Sequence, residues 1–561
     1  MNHSSVDQVL HPLFTEKASR DSARTVLAWT AGAFLALGTA CTSADEANLG
    51  DGATAAEGEE TYRPPGTEAG DPGNPGENAQ QPADPLCPGV LQNCDDDLAT
   101  GCETDTSSDR AHCGGCNAPC HGACVDGQCS DPIQLSLAYE HSCALLGTGQ
   151  VRCWGSNYNG QLGNRLGGIA GGTGLTPEQQ ASPVTPENVI PDMSHRPQRV
   201  ELSGGAPLEG IRAITSGQHH NCALSHQGHV YCWGANHYGQ LGNGTTVSSS
   251  FATQVRNIAS DRNDSEWLTD VEAIGAGWEH TCAVLRNGRV VCWGNDPLGQ
   301  LGRGSLIPDT STPALRPVPM ASLTNDSHLS GVKLVSGGQN HTCLSFEQGI
   351  ACVGSQTSGR LGNGEETDSV RTPQAALDFD GSDVLHERVR SLSAQRWGNC
   401  ALLDTGRVAC WGYQGLEGRL GNGATTHSSR PTLVRTPTDD GPLEGVTQLA
   451  AFDPHACALL DSGKAVCWGW NSHYQLGIDT SIDNSDPPSK DRSPLPMEVI
   501  DPLTKQAMLG IVEIAVGTRN TCARMQDGRL LCWGRNNRGQ AGAELTTTQT
   551  LAHEVSFSPA G

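Results

Sequence analysis

The sequence predicts an all-β repeat protein, a β-propeller, and three observations carry that expectation. A 23-residue stretch, "HSCALLGTGQVRCWGSNYNGQLG" at 141–163, returns six more times along the chain. Its further copies are "HNCALSHQGHVYCWGANHYGQLGNG" (220–244), "HTCAVLRNGRVVCWGNDPLGQLG" (280–302) and "HTCLSFEQGIACVGSQTSGRLGNG" (341–364). Then follow "NCALLDTGRVACWGYQGLEGRLGNG" (399–423), "HACALLDSGKAVCWGWNSHYQLG" (455–477) and "NTCARMQDGRLLCWGRNNRGQAG" (520–542). First cysteines at 143, 222, 282, 343, 400, 457 and 522 set periods of 57 to 79 residues, with the longest insertion at 164–207. A unit of this length with several short strands is the signature of propeller blades. Second, short runs such as "GHVYCWG" and "GRVVCWG" alternate with turn signals. Third, glycine is abundant at 69 residues, aromatics make up 4%, and no sustained apolar stripe of helical period is present.

The elements follow in chain order. Residues 1–41 read as an export signal: Lys17, Arg20 and Arg24 precede the apolar run "TVLAWTAGAFLALGTA", which ends at Cys41. Such a run is too short to span a bilayer and is similar to bacterial secretory signals. The cysteine directly after "LGTA" resembles a lipoprotein processing site and makes Cys41 the candidate lipidated residue. Gly38 stands where such sites usually carry leucine, and ordinary cleavage near Ala40 is the alternative. Export makes disulfides the default chemistry for the 23 cysteines. The expected location is bacterial and exported, either as an outer-membrane or cell-surface lipoprotein or as a secreted protein.

Residues 42–86 hold ten acids, one arginine and much Gly, Pro and Ala. Such a composition buries too little apolar surface to offset ordering entropy, so a disordered acidic linker is expected. Residues 87–130 form a Cys-rich module with Cys87, Cys94, Cys102, Cys113, Cys116, Cys120, Cys124 and Cys129. It has almost no aliphatic core, so cross-links must hold it, and eight cysteines admit on the order of a hundred pairings. Zinc at Cys113 and Cys116 is the alternative chemistry there. The module resembles short cysteine-rich modules of secreted bacterial proteins through "TGCETDTSSDRAHCGGCNAPC". Asp95, Asp96 and Asp97 lack the glycine-punctuated spacing of a calcium loop.

Residues 131–558 carry the repeats. Within one, "CALLGTGQVRC" reads as a β-hairpin in which Cys143 faces Cys153 across a three-residue, glycine-containing loop. Cysteines directly opposite across antiparallel strands lie within disulfide reach. The same reasoning pairs Cys222 with Cys232, Cys282 with Cys292, Cys400 with Cys410, Cys457 with Cys467 and Cys522 with Cys532. Cys343 and Cys352 are one residue closer, which requires a tighter turn or a strained one. Each staple is expected to contribute ~2–3 kcal/mol by restricting the unfolded chain. His141, His220, His280, His341 and His455 precede the first cysteine by two residues. Repetition across blades argues for a shared structural task, a hydrogen bond to backbone inside the blade, and against metal. The tryptophans at 154, 233, 293, 411, 468 and 533 are expected between blades, with Val353 replacing the one missing from the fourth copy.

The pattern "G-x-x-H-x-C-A-L…G-x-V-x-C-W-G-x-N-x-x-G-Q-L-G" resembles the regulator of chromosome condensation repeat. That resemblance, over roughly residues 131–558, implies a seven-bladed β-propeller, matching the count of copies. The regular cysteine pair departs from the eukaryotic pattern and fits export.

Function is expected where the copies disagree. The two ends of each hairpin emerge at one edge of the blade and line one face of the ring. One set of variable positions includes Tyr139, His219, Trp278, Arg396, Trp397 and Arg519. The other includes Tyr158, His237, Tyr238, Tyr413, Trp470 and Arg535. Aromatic and arginine side chains on loops of a rigid scaffold have the composition of protein-binding hot spots. Secreted bacterial propellers similar to this one capture proteins, so the resemblance implies a binding ring, monomeric, with an unidentified protein or glycan as partner. The founding family's role implies guanine-nucleotide exchange as an alternative, which export and acidity place in the wrong compartment. An enzyme at the ring axis is a further alternative, but no Gly-x-Ser-x-Gly, His-Glu-x-x-His, P-loop or paired-carboxylate motif is present. No cofactor and no metal are expected. A net charge of −26 disfavours nucleic acid, and leaves the membrane only a lipid anchor as a link.

Overall fold

Seven four-stranded antiparallel sheets follow one another along the chain in a computed structural model of the protein. The structure describes residues 128–557 except 167–192, 259–265, 305–312, 325–326, 479–490 and 545–547, with 91–92, 104–105, 108, 111–113, 120 and 124–125 of the module. The expectations for the signal, for Cys41 and for the acidic linker fall outside the described residues. Each sheet is one blade built from one repeat. In the first blade the strands are Pro132–Leu137, His141–Leu146, Val151–Ser156 and Met193–Arg199, in that spatial order. In the seventh they are Ile511–Val516, Asn520–Met525, Leu530–Arg535 and Thr548–Glu554.

The first strands of successive blades touch one another around a complete cycle, the seventh meeting the first, so they line the axis. Every blade uses its own four strands, and the ring closes without an exchanged strand. The apolar core lies between neighbouring blades, which is why the second strand of a blade, such as His141–Leu146, is buried on both faces.

Register places Cys143 opposite Cys153, and equivalent cysteines face each other in all seven blades. Disulfides join all seven pairs, with Cα–Cα separations of 4.0 to 4.1 Å. The short pair, Cys343–Cys352, keeps that separation by a tighter turn: Ser345 pairs with Ile350, and Phe346 N donates to Gly349 O at 3.2 Å. In the module, Cys113 is bonded to Cys124 and Cys120 to Cys129, which overturns zinc at Cys113 and Cys116. The same disulfide removes Cys120, Cys129 and Asp131 as a metal site, although their ligand atoms lie close together.

The seams explain the motif. Each tryptophan indole N–H donates to the carbonyl of the second residue of "GQLG" in the preceding blade, at 2.9 to 3.1 Å. The final glycine of that motif lies against the ring: a Cβ on Gly242 would sit 2.8 Å from Trp293 Nε1. In the third blade the same glycine, Gly302, faces Met320, whose side chain occupies the space left by Val353.

The histidines required a correction. They do not bond backbone inside their own blade; each reaches the residue before the first cysteine of the next blade. His141 Nε2 contacts Asn221 Oδ1 at 2.9 Å, and His341 Nε2 contacts Asn399 Oδ1 at 2.8 Å. His220, His280 and His455 meet Thr281, Thr342 and Thr521 at 2.8 to 2.9 Å. Each of those threonines gives its own proton to a carbonyl of the blade before it, so the histidine must be the donor. Asn520 stands at the histidine position of the seventh blade and donates to Ser142 at 3.3 Å, closing the circle. At the fifth seam both members are missing, replaced by Gly398 and Ala456. A buried Arg419–Asp453 ion pair crosses that seam instead.

Candidate functional site

The hairpin pairing fixes the faces. His141 pairs with Gly155 at one end of the first blade's hairpin and Leu145 with Val151 at the other. Residues before the histidine and residues after "WG" therefore emerge together. The short turns emerge on the opposite face, where the module meets the first blade: a Cβ on Gly147 would strike the Cys129 carbonyl.

Loops on the variable face are held locally. Asn157 Oδ1 accepts from Leu162 N at 3.0 Å and Asn236 Oδ1 from Leu241 N at 2.9 Å, so the "WGxN" asparagine braces its "GQLG" turn. Side chains carried between these braces are preorganised.

Six of the predicted residues converge around the axis. Tyr139 packs edge-on to His219, ring centroids 5.5 Å apart, and lies 6.3 Å from Trp278. The Arg396 guanidinium stacks between Trp278 at 4.6 Å and Trp397 at 4.4 Å. Trp397 packs edge-on to Tyr413 at 5.2 Å. Blades one, two, three and five thus share one aromatic–arginine cluster, spanning positions far apart in sequence. Trp278 departs from the expectation for a presented hot spot: it is 7% exposed, enclosed by Tyr139 and Arg396.

The other predicted residues share the face but stand outside this stack. Tyr158 is exposed and receives Arg538 of the seventh blade, stacked at 5.0 Å and donating to its hydroxyl at 3.0 Å. His237 and Tyr238 are exposed on the second blade, and Trp470 and Arg519 are half-buried on the last two. Arg535 pairs with Glu140 at 3.3 Å across the closing seam.

Arg360 and Arg419 belong to the site and were missed by the sequence reading. Both occupy the glutamine position of "GQLG", and the "GRLG" spelling of copies four and five was the available signal. Arg419 stacks on Trp397 at 4.9 Å and Tyr413 at 5.4 Å, and is neutralised by Asp453 and Glu417. Arg360 is buried and bonds only carbonyls among the described residues, Thr357 O at 2.9 Å and Arg396 O at 3.5 Å. Burial lowers its pKa to about 10, which leaves it charged at neutral pH. Burial likewise lowers the pKa of Arg396, opposed by the nearby Tyr139. His219 is drawn down to about 4 by burial and by His237, so it is neutral at pH 7.

Among the described residues, the one group of metal-ligand type is the disulfide-bonded one above, which lies on the turn face. The arrangement offers aromatic surface and cationic hydrogen-bond donors.

Two profiles described as the regulator of chromosome condensation (RCC1) repeat match the chain. One covers residues 227–284, 287–345 and 462–524, the other 133–161, 211–240, 271–300, 446–475 and 511–540. The chain is 26% identical over 413 residues to the ultraviolet-B receptor UVR8 of Arabidopsis thaliana, covering 73% of this chain and 78% of that one. It is 27% identical over 402 residues to the human E3 ubiquitin-protein ligase HERC2, covering 71% of this chain but 7% of the ligase. Human WBSCR16 superposes with a TM-score of 0.57 at 20% identity, over 73% of this chain and 94% of that one. Yeast RCC1 (Prp20), solved with Kap60 bound, superposes at 0.54 with 16% identity, over 76% and 86%.

Proposed function

The chain belongs to the regulator of chromosome condensation repeat family, and from that premise we propose that it is a non-enzymatic, exported binding propeller that captures a protein through its variable face. The observation that carries this reading is the convergence of Tyr139, Trp278, Arg396 and Trp397 from three separate blades, while the scaffold positions repeat. Tryptophan, tyrosine and arginine are the residues that dominate interface energies. Yeast RCC1, which superposes on this ring, was solved bound to a protein, Kap60.

Orientation supports the same reading. The end of the module at Cys129 lies against the turn at Gly147, on the face opposite the variable loops. The family's nucleotide-exchange role has no corresponding observation in the cluster.

The test is affinity capture by the immobilised full chain, compared with a variant carrying Tyr158→Ser, Tyr238→Ser and Trp397→Ser. Arg286→Ala, exposed on the opposite face, is the control. Loss of about tenfold or more in the face variant, with the control unchanged, is the expected result. Equal recovery from all three proteins overturns the reading.

A further inference from the structure

We propose that the axial cluster is a carboxylate receptor for an acidic segment of the captured protein, with Arg396 as the group that reads it; this rests on capture through the variable face. The Arg396 Cζ lies over the rings of both Trp278 and Trp397, at 4.6 and 4.4 Å, and Nε donates to Gln339 Oε1 at 3.2 Å. Its two terminal nitrogens have no acceptor among the described residues, and no carboxylate lies within ion-pair distance. A guanidinium fixed by stacking and by one edge hydrogen bond loses little rotamer freedom when its remaining fork engages a carboxylate in two parallel hydrogen bonds.

The surroundings supply donors and positive charge. The indole N–H groups of Trp278 and Trp397 make no hydrogen bond among the described residues. Arg360, directly behind, is a second guanidinium without a carboxylate partner, and its Nη1 donates to the Arg396 carbonyl. Neighbouring Arg419, by contrast, is neutralised by Asp453 and Glu417. A buried cation without a counter-ion is unfavourable, and an incoming anion relieves that penalty. The side chains around Arg396 are aromatic, which suits the methylene groups of a glutamate. Carboxylate on a polypeptide therefore fits.

Titration calorimetry of the full chain with acetylated, amidated tetraglutamate tests this, with the matching tetraglutamine peptide and inorganic phosphate as comparison arms. Tetraglutamate binding that weakens with added salt, at least tenfold tighter than tetraglutamine, is expected. Arg396→Lys keeps the charge but not the fork and should weaken it about tenfold; Arg396→Gln should abolish it. Thermal unfolding of both variants shows whether the ring is intact, and the salt dependence of the unaltered chain stands if either fails to fold. Equal binding of the two peptides, or unchanged binding by a folded Arg396→Gln chain, overturns the proposal. Phosphate binding with tetraglutamate silent overturns the carboxylate assignment. If the triple face variant loses capture while tetraglutamate does not bind, only the carboxylate assignment falls. If capture is unchanged in that variant, the capture reading falls independently.

Discussion

His141, His220, His280, His341 and His455 each donate Nε2–H across a seam and leave Nδ1 buried without a partner. Protonating Nδ1 would place an N–H where nothing accepts it, and burial accordingly lowers these pKa values to about 4 or about 3. The unfolded chain, with histidines near 6.5, then binds more protons than the folded ring between pH 6.5 and about 4. Stability supplied by the neutral histidines is full above pH 6.5 and is lost as pH falls towards 4. Each pH unit in that window removes about 1.4 kcal/mol per histidine, so even a fraction of five sites amounts to several kcal/mol. Urea unfolding midpoints at pH 7.5 and 5.0 check this: a marked drop is expected at pH 5.0, above the range where most carboxylates titrate. A flat midpoint would show that the imidazoles are not neutral donors. Replacing His280 and His455 by Gln, which can still donate to Thr342 and Thr521, should shrink the drop. The sequence announced these histidines as structural because they recur, but it did not show their partners. The partner lies 58 to 80 residues downstream in the next copy, so nothing within one repeat reveals it. The cysteine pairs were legible because both members lie in one hairpin at a fixed spacing.

At the scale of the blade, the seam is a unit of three residues: a glycine, a tryptophan from the next blade and an apolar residue directly after the fourth strand. Gly163, Trp233 and Val200 form it at the first seam, Gly242, Trp293 and Val255 at the second. At the third seam Val353 replaces the tryptophan and Met320 replaces the valine, and the atoms nearest a Cβ on Gly302 belong to Met320. The two replacements are one exchange of volume. Val353→Trp alone should therefore overpack the seam and destabilise the ring by about 1–3 kcal/mol. Adding Met320→Val should recover most of that loss by restoring the set used elsewhere. Chemical denaturation of the two single variants and the double variant measures the coupling, and additive effects would refute it. The binding face was only partly legible for a related reason. Variable positions marked Tyr139, Trp278, Arg396 and Trp397, but ring geometry alone brings blades one, three and five together. Arg360 and Arg419 hid inside the "GRLG" motif because that position is scaffold in the other five copies.

For the whole molecule, closure and stapling are separate devices. No strand is exchanged between the seventh and first blades; that seam is held by Asn520 to Ser142, by Trp154 to the Gln540 carbonyl, and by Leu135 N to Glu513 at 2.8 Å. The propeller disulfides lie within hairpins, and none crosses a seam. They raise the stability of each blade by ~2–3 kcal/mol through the unfolded chain, and leave ring closure to packing. Fourteen propeller cysteines held this way suit an oxidising compartment, and that is what supports the proposed export. Thiol titration of the purified, unreduced chain in denaturant decides the matter. None of the fourteen is expected to react until a reductant is added, and the unfolding midpoint should fall once it is. A full complement of reactive thiols in the unreduced chain would mean that the pairs are only neighbours. The ring would then belong in a reducing compartment, and the export half of the proposed function would fail while the architecture of the binding face stood unchanged.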